Sequence, residues 1–156
     1  MTAPYLAGNQ WGIGGRANSQ DLPFVPYGRT DYVGVAGYAG FLGEPPPAND
    51  DFFRGVFWNR SKIDFRDITD GASHTLLFGE ATGAPVTSYT WAGVGMLPTA
   101  WGLTDNPSWY QFGSFHPGIV NFCLADGSVR NLSTKIDYDT FVNLSSIADG
   151  ERVEVP

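Results

Sequence analysis

Apolar positions fall most densely in "GIVNFCLA", where Ile119 and Val120 are followed by Phe122 and Leu124. That density predicts a central, mostly buried strand. The next run, "SVRNLS", keeps Val129 and Leu132 apolar but Arg130 and Asn131 polar, as on a partly exposed strand. Asp126-Gly127 stands between the two runs. Asp-Gly in that position predicts a two-residue hairpin turn, because both residues can adopt positive φ. Upstream, "HTLLFGEA" (His74–Ala81) reads as a largely buried strand and "YTWAGVG" (Tyr89–Gly95) as its candidate antiparallel neighbour. "GVFWN" (Gly55–Asn59) reads as a short strand. Ile63, Phe65 and Ile68 read as a strand end leading into one helical turn. "TDYVGVAGYAGF" places glycine at 34, 37 and 40, a spacing that lets backbones approach closely along an irregular strand.

The pattern changes period in "IDYDTFVNLSSIADGERVEV". Phe141, Leu144 and Ile147, with Val142, form a helical apolar stripe. Asp137 or Asp139 can cap its first turn, and Gly150 supplies a left-handed stop. "RVEV" then predicts a short edge strand. Residues 1–29 and "GEPPPANDD" read as irregular chain. "MLPTAWGLTDNPSWYQFGS" is a long loop; at that length it is functional, packed by its own side chains, or mobile. The expectation is one β-rich α+β domain over residues 1–156, with an antiparallel sheet, long loops and one C-terminal helix.

Composition agrees with this reading. Hydrophobic residues make up 42% and aromatics 15% of 156 residues, enough for one core. The 20 glycines and 11 prolines favour short strands and turns over long helices. A net charge of −7 argues against nucleic acid as a partner. Arg54, Arg60, Lys62 and Arg66 form a local basic cluster, read first as a solvated face and second as a patch for an acidic neighbour. No apolar stretch approaches the ~20 residues needed to span a bilayer.

Candidate chemistry is sparse. "WGIGGRANS" lacks the strand, helix and Lys-Ser/Thr of a phosphate loop. The single Cys123 sits in an apolar run, where a free cysteine acts as a small buried hydrophobe. His116 and Cys123 would lie about 23 Å apart on a straight strand, too far to form a nucleophile–base pair. His74 has no partner visible from sequence. Two histidines and one cysteine give no zinc set. Asp67, Asp70 and Asp126 are hard oxygen ligands on turns, and so weak calcium candidates, although turn aspartates usually bond to local backbone amides. Trp91, Trp101 and Trp109, with Tyr110, bring aromatic rings to the long loop. Burial suits most of them, and an exposed set would suit a glycan.

From His116, nine residues lead to Asp126-Gly127. This resembles the H-X9-DG signature of a bacterial prepilin-like family related to type II pseudopilins and of unknown function. "TDYVGVAG", "GVFWNRSKIDFRDITDGASHTLLFGE" and "SFHPGIVNFCLADGSVRNLSTKIDYDTFVNLSSIADGE" are similar to that family's body, in its order. The resemblance covers about residues 29 to 156. It implies a type IV pilin-like fold, export to the cell surface, periplasm or exterior, and a non-enzymatic role as a filament subunit. Its implied partners are itself or other pilin-like subunits. It implies a structural role for His116, Asp126 and Gly127, no catalytic residue, and no cofactor beyond the open question of calcium. A histidine contact there would be pH-sensitive. Neither a "GFTLVELL"-like processing site nor an apolar N-terminal helix stands in this sequence. The expectation is therefore a head domain separated from that helix, or a protein that has lost it, with any membrane attachment left to such a helix.

Overall fold

The computed structural model describes residues 29–38, 53–58, 61–82, 89–90 and 95–156. Within them the elements run β1 (Arg29–Thr30), β2 (Tyr32–Val35), β3 (Leu76–Glu80), β4 (Tyr89–Thr90), β5 (Met96–Leu97), β6 (Ile119–Leu124), β7 (Val129–Ser133) and α1 (Tyr138–Asn143). Five strands form one sheet in the order β5-β2-β3-β6-β7, and β1 pairs with β4 in a second, two-stranded sheet.

The hairpin forms where the apolar runs place it. β6 and β7 pair antiparallel, with register from Ile119↔Ser133 to Cys123↔Val129. Val120, Phe122 and Leu124 bury one face of β6, while Ile119, Asn121 and Cys123 are half-buried on the other. Cys123 is therefore not the fully buried thiol expected, because strand alternation turns it away from the core. The turn also differs from expectation. Leu124 N–H donates to Ser128 O at 2.8 Å and Gly127 N–H to Leu124 O at 3.0 Å, which makes a three-residue loop. Gly127 supplies a left-handed residue of that loop, at φ 85°. The longer loop has a local cause. Ala125 and Asp126 donate their N–H groups to Thr75 O and Ala72 O, and Ala125 packs with Ile68 and Ile147 in a small second core.

The main core joins the sheet, the 96–114 loop and α1. Phe122 packs its ring 5.2 Å from Phe112 and 5.7 Å from Phe141, centroid to centroid. Gly79 on β3 makes room for these rings. A Cβ there would lie 2.4 Å from the Phe122 ring and 2.6 Å from the Phe112 ring.

Expectations for the sheet and for the C-terminal segment are corrected. The sheet is mixed, because β5 runs parallel to β2; Leu97 is buried there by joining a free edge. The C-terminal helix is short. Asp137 caps it through Thr140 N–H at 2.9 Å, as expected. After Asn143, the N–H groups of Ser145 and Ser146 bond back only three residues, and the Ser145 hydroxyl bonds Val142 O and Thr99. These buried serines tighten and end the helix. Ile147 then leaves the stripe. Its N–H meets Arg54 O, and its carbonyl accepts from Thr69 and Asp70. Gly150 is left-handed as expected, at φ 82°, but it lies beyond the helix rather than ending it. "RVEV" forms no strand; Val153 and Val155 instead pack on the main core.

Other segments differ in detail. Residues 55–58 are not a strand: one bridge joins Gly37 to Arg54, and Phe57 N–H reaches Val35 O. Gly34 and Gly37 do permit close approach, by the Phe57 ring and the Gly55 backbone respectively. Tyr89–Thr90 pairs with β1 rather than β3. Residues 1–28, Gly40, the triple-proline loop, Asn59, Arg60 and Trp91 lie outside the described residues.

Gly127→Ala meets open space at its Cβ, so its cost is conformational alone. Urea unfolding is expected to show a loss of roughly 1–2 kcal/mol with the sheet retained.

Candidate functional site at the His116 end of the sheet

The segment before β6 carries His116 out over the end of β3. Its imidazole is 56% exposed, and Nε2 lies 3.6 Å from Glu80 Oε1. The Glu80 carboxylate is only 13% exposed. Its Oε2 accepts Asn121 N–H at 2.9 Å, and its Oε1 accepts the Tyr32 hydroxyl at 3.3 Å. Burial, then the Glu80 charge and hydrogen bond, raise the Tyr32 phenol above its ordinary range. Glu80 is therefore the hub that ties β2, β3 and β6, and a protonated His116 would add an ion pair at its rim.

Beside His116 opens a cleft of about 740 Å³, lined by residues of the 104–105, 114–118 and 133–135 segments. Asp105 on one wall accepts the Thr134 hydroxyl from the other. Ser114 Oγ accepts His116 N–H at 2.9 Å, which fixes the bend of this wall. Phe115 projects outward and is 84% exposed.

The other sequence candidates do not converge here. β6 separates His116 from Asp126 by about 20 Å at ~3.3 Å per residue. Asp126 is exposed at the far turn. Ser128, whose N–H donates to Asp126 Oδ1 at 2.8 Å, holds the Asp126 carboxyl below the usual range. Asp67 Oδ2 accepts Asp64 N–H, and Asp70 is buried against the C-terminal segment. Asp67 and Asp126 are thus taken up by local backbone amides, and Asp70 by the distant amides of Asp149 and Gly150. Among the described residues no three His, Cys, Asp or Glu side chains group to hold a metal. Cys123 Sγ donates to Leu124 O at 3.3 Å.

The 96–114 loop is packed by its own side chains. Gln111 bonds Trp101 O and Ser108 N–H, Tyr138 bonds Ala100 O, and Phe112 anchors the loop in the core. Trp101 is 54% exposed, while Trp109 and Tyr110 are half-buried. Tyr110 meets Trp101 at 63° and Trp109 at 83°, edge to face rather than as one flat platform. In the basic cluster, Arg54 is half-buried with its guanidinium 5.4 Å over the Trp58 ring, and so is not a solvated charge. Lys62 and Arg66 are exposed. His74, whose partner was not visible from sequence, bonds Val153 O through Nδ1 at 3.1 Å.

Sequence reasoning missed Glu80, Tyr32 and Asp149. A carboxylate on an otherwise apolar strand was the available signal for Glu80. Comparison with known proteins adds one finding: the model of the family SBP_bac_10, described as a protein of unknown function (DUF1559), matches residues 14–106 and 88–139. The chain belongs to this family. No curated protein and no solved structure matches it.

Removing Glu80 leaves Asn121 N–H without its acceptor. Glu80→Ala is expected to cost about 1–3 kcal/mol in urea unfolding. His116→Ala, at an exposed rim, is expected to stay within roughly 0.5 kcal/mol.

Proposed function

We propose that this family member is a non-enzymatic structural subunit, the head domain of a prepilin-like surface or secretion filament protein. It works by packing against copies of itself or other pilin-like subunits, outside the cytoplasm and without nucleic acid. The observation that carries this reading is the ordered series of prepilin-like blocks from residue 29 to 156, ending in the H-X9-DG signature. Large apolar side chains on rigid loops support it. Trp101 and Phe115 stand on segments fixed by internal hydrogen bonds and offer contact area at little entropic cost. The local contacts of both residues fit scaffold roles: the His116 N–H meets Ser114 Oγ in the loop wall, and the exposed Asp126 carboxylate accepts Ser128 N–H across the turn.

The exposure of Trp101 also favours a second reading, a glycan-binding surface. One experiment separates the two. Surface-sheared material from producing cells is imaged by electron microscopy with an antibody to this chain, beside a glycan array of the purified protein. Label along filaments, reduced by the double substitution Trp101→Ala/Phe115→Ala, is the expected result. Array binding lost on Trp101→Ala, with no labelled filament, would favour the glycan. A turnover lost on His116→Ala with the fold intact would overturn both.

A further inference from the structure

Asp70 and Asp149 are among the most buried polar residues described, at 4% and 5% exposure. They meet where the C-terminal segment crosses the loop before β3. Asp149 N–H donates to Asp70 Oδ2 at 2.8 Å, and Gly150 N–H to Asp70 Oδ1 at 3.0 Å. Glu151 N–H donates to Asp149 Oδ1 at 2.8 Å. Asp149 Oδ2 is buried with no hydrogen-bond partner, and the Asp70 carboxyl lies beside it. Two ionised carboxylates are acceptors only, so neither can satisfy the other. A single proton between them supplies the missing donor and removes one of two like charges.

A cation fits this place poorly. Three backbone N–H groups already point their positive ends at these oxygens. A calcium ion also asks for six or more oxygen ligands, and no third acidic, His or Cys side chain joins the pair among the described residues.

We propose that Asp70 and Asp149 hold one shared proton, and that this proton latches residues 147–153 onto the 67–75 loop. The same loop holds the Asp126-Gly127 turn through Ala72 O and Thr75 O, so the latch ties the C-terminal segment to the hairpin. Burial pushes the Asp149 carboxyl up to about 6; Asp70's charge and contact add to this, while Glu151 N–H and the Ser146 hydroxyl oppose it. The pKa is raised in the folded state. The stabilisation is therefore complete below the ordinary carboxylate range and is lost as pH rises through about 6. The other ionisable residues near the latch are Asp67, on Asp64 N–H at the start of the loop, His74, on Val153 O, Glu151 and Arg152 on the segment itself, and Arg54, whose backbone carbonyl meets Ile147.

The test is thermal unfolding of the full chain from pH 5 to 7.5, with amide hydrogen exchange of residues 147–153 corrected for intrinsic rates. The wild-type midpoint is expected to fall by roughly 5 °C over that range, with protection of Asp149 and Gly150 N–H falling alongside it. Asp149→Asn, whose amide can donate where the proton sits, is expected to lose this slope and to match or exceed wild type at pH 7.5. An unchanged slope in Asp149→Asn would assign the effect elsewhere, His74 included, and overturn the latch. Wild-type protection that is flat in pH would overturn it without any variant. A midpoint at pH 7.5 raised by calcium in wild type but not in Asp149→Asn would replace the proton with a cation.

Discussion

The fold depends on a gap in the middle of its sheet. β3 is the central strand, and Gly79 presents no side chain where the Phe122 and Phe112 rings come within 2.6 Å of a would-be Cβ. Phe122 thereby touches the strand beneath it, the 96–114 loop through Phe112 and the helix through Phe141. One ring joins three parts of the chain that sequence keeps far apart. A core this closely packed tolerates little added volume.

Around that centre, the polar contacts act as fasteners at the two ends of β6. At one end Glu80 gathers Asn121, Tyr32 and the rim histidine. At the other, the Asp126-Gly127 turn is tied down by the carbonyls of the 72–75 loop, itself gripped by the C-terminal segment through Asp70. The H-X9-DG spacing is thus the length of one strand plus its two anchoring bends. A histidine and an Asp-Gly pair at that spacing therefore stand at opposite ends of one strand and share no site.

Much of the sheet was legible from local pattern. The 119–133 hairpin, the 76–80 strand, the Asp137 cap and the left-handed Gly127 each follow from a few neighbouring residues. What was not legible depends on distant ones. The parallel pairing of Met96–Leu97 with β2 involves two residues inside a loop rich in proline and tryptophan. Ser145 and Ser146 read as helical until Thr99 and the loops at Arg54 and Thr69 are in place to meet them and Ile147. The Glu80 hub and the Asp70–Asp149 pair join residues many positions apart, and Asp149 reads from sequence only as the approach to a glycine stop.

The most direct measurement is a double-mutant cycle of unfolding free energy at Gly79 and Phe122. The account predicts that Gly79→Ala alone costs roughly 1–3 kcal/mol, and less when Phe122 is already Ala, because one of the two obstructing rings is gone and Phe112 gains room to shift. Additive losses, or a Gly79→Ala protein as stable as wild type, would contradict it.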